Sequence, residues 1–236
     1  MLIFWRLVFG HLLADFTLQT DYLAHWKRKS MWGMLVHCGL HPIMYAFLCW
    51  PYLGDMWVMT AAVQLNGWAC ISLLFLLHFI EDEWRVYILN HRKIDDDTLF
   101  FLFDQAVHFL CLIALLPLGL WGRGDGLMPE SWPLLAALAV LTMHGTTILL
   151  YYIEKELFDS AFPEFDEKYF TIAERFIFSV CFLLPGVWGF AAPAAWAGLV
   201  YQTRLVLGVD YSWFGFYIGG LCAVVCGLLA RWIGPF

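Results

Sequence analysis

The chain has 236 residues, of which 62% are hydrophobic and 14% are charged, whereas about a quarter of the residues of a soluble domain are charged. The formal net charge is −7, and the 13 Lys and Arg residues stand mostly at the ends of apolar runs, which argues against a nucleic-acid partner. The longest polar stretch, roughly fifteen residues, is far shorter than a domain, so the composition excludes a sizeable soluble domain and predicts a polytopic α-helical membrane protein.

Apolar runs of about 20 residues, the length of a transmembrane helix, recur along the whole chain. We predict an all-α, polytopic transmembrane helical bundle of about seven or eight spans in a single membrane domain. Residues 1–121 would form a four-helix core, and residues 122–236 would add further spans. The segment at residues 185–193 is either a boundary between two spans or a broken, re-entrant segment, which decides between eight spans and seven. The eight segments are about 2–24, 31–50, 56–80, 98–121, 131–153, 169–187, 189–206 and 211–231.

Basic residues are concentrated in the loops after the first, third, fifth and seventh predicted spans, beginning with Lys27, Arg28 and Lys29. Cytoplasmic loops of membrane proteins carry an excess of Lys and Arg. We therefore expect these loops in the cytoplasm and the N-terminus outside.

Four pairs of ionisable residues, each with a spacing of i,i+4, interrupt the first four predicted spans. Residues with this spacing lie one turn apart on the same face of a helix. With the predicted topology, all four pairs fall at a similar depth in the cytoplasmic half of the membrane. We therefore expect them to meet in space. The pairs are His11 with Asp15, His37 with His41, His78 with Asp82, and Asp104 with His108.

A cation bound among these residues would compensate their burial, because an unpaired charge inside a bilayer costs at least about 2.5–3.5 kcal/mol. Imidazole and carboxylate ligands suit Zn best, with Mn or Fe as alternatives. Eight ligands exceed the needs of one tetrahedral ion, which favours two ions or one ion with supporting residues. Polar hydrogen bonds between helices, or a path for protons or ions, are the competing interpretations. The seven cysteines form no CxxC motif and are interpreted as small buried hydrophobic residues.

Further polar residues lie close to these pairs or on a later span, and we assign them roles in the site. Asp15, Asp82 and Asp104 would act as ligands, as orienting groups or as a general base. Glu174, on the sixth predicted span, is a further candidate for a catalytic carboxylate, or it forms an ion pair with Arg175. The residues expected to orient a substrate or to bind its headgroup are Gln19, Lys27, Arg85, Gln105 and Arg175.

The motif set resembles that of the bacterial DUF3307 family of membrane proteins. The resemblance is carried by the stretch from His11 to Asp21 with Lys27, by the pair His37 and His41, and by the segments 78–82 and 103–108. It is strong over residues 1–110 and weaker around residues 172–175. The resemblance implies a location in the bacterial inner membrane, but no reaction, because the family has no established function.

The function that we predict is that of a membrane metalloenzyme with its site open to the cytoplasmic leaflet. Metal-assisted hydrolysis of a phosphoester or acyl bond in a lipid-like or phosphorylated substrate is the favoured chemistry. A cation- or proton-coupled transporter, or a subunit that uses the polar pairs only to hold helices together, is the alternative. Any partner beyond the lipid bilayer stays open.

Overall fold

Helices make up nearly all of the computed structural model, which describes residues 2–92, 94–116, 131–207 and 212–234. The chain divides into two compact units, a first unit of Met1–Ala137 and a second unit of Leu138–Phe236. The helical class predicted from composition is confirmed. The predicted division between residues 121 and 122 lies outside the described residues.

The first unit contains a sequence of helices interrupted by one π-helical segment and one β-hairpin. Thr20, Ser30 and Asp97 begin three of these helices, because each side chain accepts a backbone N–H of the first turn. The elements are α1 (Leu2–Leu12), the first π segment (Leu13–Thr17), α2 (Asp21–Lys27), α3 (Met31–Cys49), β1 (Met56–Met59), β2 (Gln64–Asn66), α4 (Gly67–Arg92) and α5 (Thr98–Ala114).

Helix α3 is the centre of the first unit, since it packs against α1, α2 and α4, while α5 contacts α1 and α4. Leu7, Leu12, Met34 and Leu112 are buried among these helices. The side chains that line the inside of this four-helix group are therefore those of α1, α3, α4 and α5.

Two of the predicted spans in this unit have different structures from those expected. The segment 2–24 is not one helix, because the chain widens into the first π segment and then turns before α2. The segment 56–80 begins as an antiparallel hairpin in which Met59 pairs with Gln64, and α4 starts only at Gly67. Apolar residues in a short run do not distinguish a strand from a helix by periodicity.

The second unit is built mainly from α8 and α10, which pack along each other, with α7 against α10 and α9 against α8. A Cβ at Gly227 would lie 2.7 Å from the ring of Phe182, so α10 needs glycine where it crosses α8. Helix α6 (Trp132–Val140) leads from the first unit into the second. The further elements are the second π segment (Leu141–Gly145), α7 (Thr146–Phe158), α8 (Phe165–Cys181), α9 (Trp188–Leu207) and α10 (Trp213–Ile233).

Three helices of the described residues are long and apolar enough to cross a membrane, namely Met31–Tyr52, Trp132–Phe158 and Trp213–Ile233. The expectation of seven or eight spans is therefore not supported. Two features account for much of the difference: α1 is only 11 residues long, and α4 carries Glu81, Asp82 and Glu83 in succession. Helix α9 continues through Pro193, so the segment at 185–193 separates α8 from α9 rather than forming one broken span.

Candidate metal centre

All four i,i+4 pairs converge inside the first unit. They come from α1 with the first π segment, from α3, from α4 and from α5. Each of the eight side chains is at most 8% exposed. The rings of His41 and His78 lie 3.7 Å apart between centroids, and those of His78 and His108 lie 4.1 Å apart. Five imidazoles and three carboxylates therefore share one buried region.

The first group of converging atoms is centred on one oxygen of Asp15. Its Oδ1 atom lies 3.4 Å from Nε2 of His37 and 3.1 Å from Nε2 of His41. The same oxygen lies 3.9 Å from Nε2 of His78, which is 3.5 Å from Nε2 of His37. A tetrahedral Zn site with bond lengths of about 2.0–2.1 Å has ligand atoms about 3.3 Å apart. These four atoms thus have nearly the separations that one tetrahedral ion requires.

The local backbone explains how Asp15 reaches this position. In the first π segment the Leu18 N–H bonds to the Leu13 carbonyl, five residues back, at 2.8 Å. The wider turn changes the direction of the Asp15 side chain relative to a regular helix, while Nε2 of His11 remains 3.4 Å from Asp15 Oδ2. Such π bulges occur frequently at functional sites.

A second group consists of one imidazole and three carboxylates on α4 and α5. His108 Nε2 lies 2.9 Å from Glu81 Oε2, 3.7 Å from Asp104 Oδ1 and 3.9 Å from Asp82 Oδ1. The other oxygen of Asp82, Oδ2, lies 3.0 Å from His37 Nε2 and 3.6 Å from His78 Nε2. Asp82 therefore faces both groups, one oxygen to each, as a carboxylate that bridges two ions would.

Two members of these groups were missed by the sequence analysis. Glu81 lies in the second group, and its spacing of i+3 from His78 on α4 was a signal for it. Cys38 Sγ lies 3.9 Å from Asp82 Oδ2 and forms a further cluster with His78 and Asp82. Its position next to His37 was the only signal, because a cysteine inside an apolar run is usually just a buried hydrophobic residue.

His11 was predicted as a ligand, but its atoms belong to neither group. Its ring lies against those of His41 and His108, with centroids 5.4 Å and 5.2 Å away. Neither of its ring nitrogens makes a hydrogen bond with any described residue, although both are buried. The structure therefore places His11 beside Asp15 as a neighbour of the centre.

Three of the predicted substrate-orienting residues contact the cluster. Lys27 Nζ lies 3.1 Å from both Asp82 Oδ2 and His37 Nε2. Arg85 donates to Asp104 at 2.9 Å and to Asp96 at 2.7 Å. Gln105 donates to Asp15 at 3.3 Å and to Asp104 at 3.1 Å. Lys27 and Gln105 thus hold carboxylates of the cluster in place, as does Arg85.

The other predicted site residues are not brought to the cluster. No hydrogen bond links Gln19 to the cluster among the described residues, and its buried Oε1 atom has no such partner. Glu174 pairs with Arg204, not with Arg175. The described contacts of both Glu174 and Arg175 are with residues of the second unit. Sequence proximity suggested a Glu174–Arg175 pair, but successive residues on a helix point in different directions.

The charges of the cluster are unequal in the described structure. Four carboxylates, from Asp15, Glu81, Asp82 and Asp104, are accompanied by the cationic groups of Lys27 and Arg85. With neutral imidazoles the formal balance is negative by two charges. The buried Glu81 Oε1 atom also has no hydrogen-bond partner among the described residues. Since buried charges must be compensated, the donor set fits a divalent cation, and both groups could hold one.

Comparison with known proteins gives a family and no more. No curated protein and no solved structure matches the chain. Residues 3–122 match the family DUF3307, which is described as a protein of unknown function. The matched region contains every histidine and carboxylate of the two groups. The chain therefore belongs to the DUF3307 family, as its motifs had suggested.

Proposed function

We propose that the protein is an integral-membrane metal-binding protein and that its metal centre catalyses hydrolysis of a lipid-like or phosphorylated substrate. One observation carries the metal-binding part: Asp15 Oδ1 and the Nε2 atoms of His37, His41 and His78 have nearly the separations of a tetrahedral ion. Zn is the ion that three imidazoles and one carboxylate suit best, and Mn or Fe are the alternatives.

Hydrogen bonding alone explains this arrangement less well. A single carboxylate oxygen faces three imidazole nitrogens, and two of those nitrogens, from His37 and His78, face each other at 3.5 Å. Two neutral imidazoles meeting through Nε2 share at most one proton between these atoms. A cation among the four atoms satisfies every lone pair at once.

Hydrolysis would take place at the second group rather than the first. Four protein ligands close a tetrahedral ion, which is typical of structural sites. The second group offers Asp104, Glu81 and His108 to an ion that keeps a bound water, whose pKa a metal lowers from 15.7 to about 7. Glu81 Oε1 has no hydrogen-bond partner among the described residues, so Glu81 is the carboxylate that we assign as general base. Lys27 would bind an anionic group of the substrate.

Metal analysis of the purified, detergent-solubilised protein tests the central point. We expect stoichiometric Zn, Mn or Fe in the parent protein and its loss in His41→Gln. The matched control is His91→Gln, since His91 is an exposed histidine that bonds only to its own helix at Tyr87. A parent protein that is folded and free of metal after incubation with each ion would refute metal binding.

Insertion in the bacterial inner membrane is supported by the three apolar helices and by the distribution of basic residues. We propose that the centre opens toward the cytoplasm and that the N-terminus lies outside. Asn90→Cys places a thiol at an exposed position beyond the charged part of α4. A membrane-impermeant maleimide should label it, above the background of the native cysteines, only in inverted vesicles. Labelling in intact spheroplasts would contradict this orientation.

A cation- or proton-conducting role is the second candidate, and one observation favours it. The stacked rings of His41, His78 and His108 form a row with Asp15 near one end and Glu81 near the other. Such rows of titratable groups also serve as relays. Proteoliposomes that accumulate Zn or protons in a His78-dependent way would favour transport, whereas metal bound without flux would favour the hydrolase.

A further inference from the structure

The second unit contains a cavity of about 430 Å³ between α8, α9 and α10. This volume is within the range of about 300–1,000 Å³ that is typical of small-molecule sites. Its walls are mainly apolar and aromatic, and small residues on two of the helices leave the space open. Among the lining residues are Phe178, Trp196, Gly198, Tyr217 and Gly220.

One end of the cavity carries charged side chains that are almost completely buried. Arg175 is 7% exposed and Arg204 is 3% exposed, against one buried carboxylate, Glu174. Glu174 is already bound by two nitrogens of the Arg204 guanidinium. The ion pairs of the described residues include none for Arg175. The buried charge therefore has an excess of one positive group, at Arg175.

Arg175 is held in position by neutral groups only. Its Nε and Nη2 atoms donate to the carbonyls of Thr142 and Met143, at 3.3 Å and 3.2 Å, and Nη2 also donates to the hydroxyl of Thr147. Both carbonyls belong to the second π segment, whose altered hydrogen bonding makes them accessible to a side chain. The Nη1 atom makes no hydrogen bond with any described residue. One face of a fixed guanidinium is thus left for an anion.

Close packing against α10 fixes this guanidinium further. A Cβ at Gly219 would lie 2.9 Å from Cδ of Arg175 and 3.5 Å from its Nη1. A glycine at this position lets the arginine pass along α10. An arginine that is rigid, buried and without a carboxylate is suited to bind carboxylate or phosphate oxygens.

We propose that this cavity binds an anionic lipid, with an acyl chain among the apolar side chains and a singly charged phosphate or carboxylate headgroup at Nη1 of Arg175. The charge of the headgroup matches the excess positive charge, and the apolar walls match the chain. This site is independent of the metal-dependent hydrolysis proposed above, since every residue that carries it lies in the second unit.

Native mass spectrometry of the detergent-solubilised chain tests this, with phosphatidylglycerol, phosphatidylcholine, oleate and inorganic phosphate as separate probes. We expect one phosphatidylglycerol or one oleate to be retained per chain, and these two arms identify the headgroup as a phosphodiester or a carboxylate. Phosphatidylcholine should bind about tenfold more weakly or worse, because its headgroup has no net charge. Equal retention of phosphatidylcholine, or retention of inorganic phosphate alone, would overturn the lipid site.

Two variants test the two ends of the site separately. Arg175→Gln should weaken retention about tenfold or more, as expected when a buried charge partner is removed, and Arg175→Lys should restore part of it. Gly198→Leu should block the cavity without disturbing the fold, because a Cβ there meets nothing within 4 Å. Gly39→Leu, in α3, is the matched control, since a Cβ there also has open space. Unchanged lipid retention in Gly198→Leu would overturn the assignment to this cavity even if Arg175→Gln failed to fold.

Discussion

The two units bury charge of opposite sign. In the first unit four carboxylates exceed two cationic side chains, and in the second unit two guanidinium groups exceed one carboxylate among the buried described residues. Each excess lies next to a π-helical segment, one presenting Asp15 and the other presenting the carbonyls of Thr142 and Met143. Buried charge without a partner is costly, so the sign of the excess predicts the ligand: a cation in one unit and an anion in the other.

The largest effect should come from Asp15→Asn, which keeps the shape of the side chain and removes its charge. Asp15 Oδ1 is the atom that the three imidazoles of the first group share. We expect bound metal to fall more than the roughly 10- to 100-fold typical for a supporting residue. Elemental analysis measures this, with Asp55→Asn, a change outside the cluster, as the control. Metal retained at the parental level would remove Asp15 from the ligand set and with it the contrast between the units.

Breaking the Glu174–Arg204 pair should be the largest effect on stability in the second unit. Glu174→Gln leaves the Arg204 guanidinium buried without its carboxylate, and loss of one partner of a buried pair costs about 3–5 kcal/mol. Unfolding in detergent, followed by circular dichroism, gives the change in free energy. The double variant with Arg204→Met should regain part of the loss. Additive losses would mean that the two residues do not depend on each other.

Gly219→Ala should have an intermediate effect, because its Cβ would lie 2.9 Å from Cδ of a fixed Arg175. Overpacking of this kind typically costs about 1–3 kcal/mol. The neighbouring Gly220→Ala is a close control, since the nearest atom to its Cβ would be 3.8 Å away. Melting temperatures of the two variants should therefore differ clearly. Equal melting temperatures would show that the Arg175 side chain moves freely along α10.

Lys27→Met should give the smallest effect and one of opposite sign. The Lys27 ammonium lies 3.1 Å from His37 Nε2, where it occupies the lone pair that a metal needs and repels the cation. We expect metal binding to tighten about tenfold, which corresponds to about 1.4 kcal/mol, as measured by titration against a competing chelator. Lys29→Met is the control for loss of a charge from the same loop. Weaker metal binding in Lys27→Met would mean that Lys27 supports the ion through Asp82.

Much of the first unit could be predicted from the sequence because its signal is local. A spacing of i,i+4 puts two side chains on one face of a helix whatever the rest of the chain does, and inside an apolar helix that face must find polar partners. His37 with His41 and Asp104 with His108 are examples in which spacing and burial pointed to the same region. The N-terminal cap of α5 at Asp97 could be predicted for the same reason.

Other features depended on information that no local pattern carries. The hairpin at β1 and β2 has apolar residues in a run too short to identify its type. The π segments each depend on one widened turn, for which composition gives no signal. Spans were overestimated because apolar residues facing the inside of a bundle have the same composition as residues facing lipid.

The sequence by itself determined the helical class, the family and the set of imidazoles and carboxylates that must be buried together, because these follow from composition and from spacing along a helix. Only the tertiary structure decided which atoms meet: that His11 stands beside the ligands, that Glu81 and Cys38 join them, and that Glu174 pairs with Arg204 while Arg175 has no carboxylate partner among the described residues. The physical reason is that charge pairing depends on distances between helices far apart in sequence, which helical periodicity does not encode.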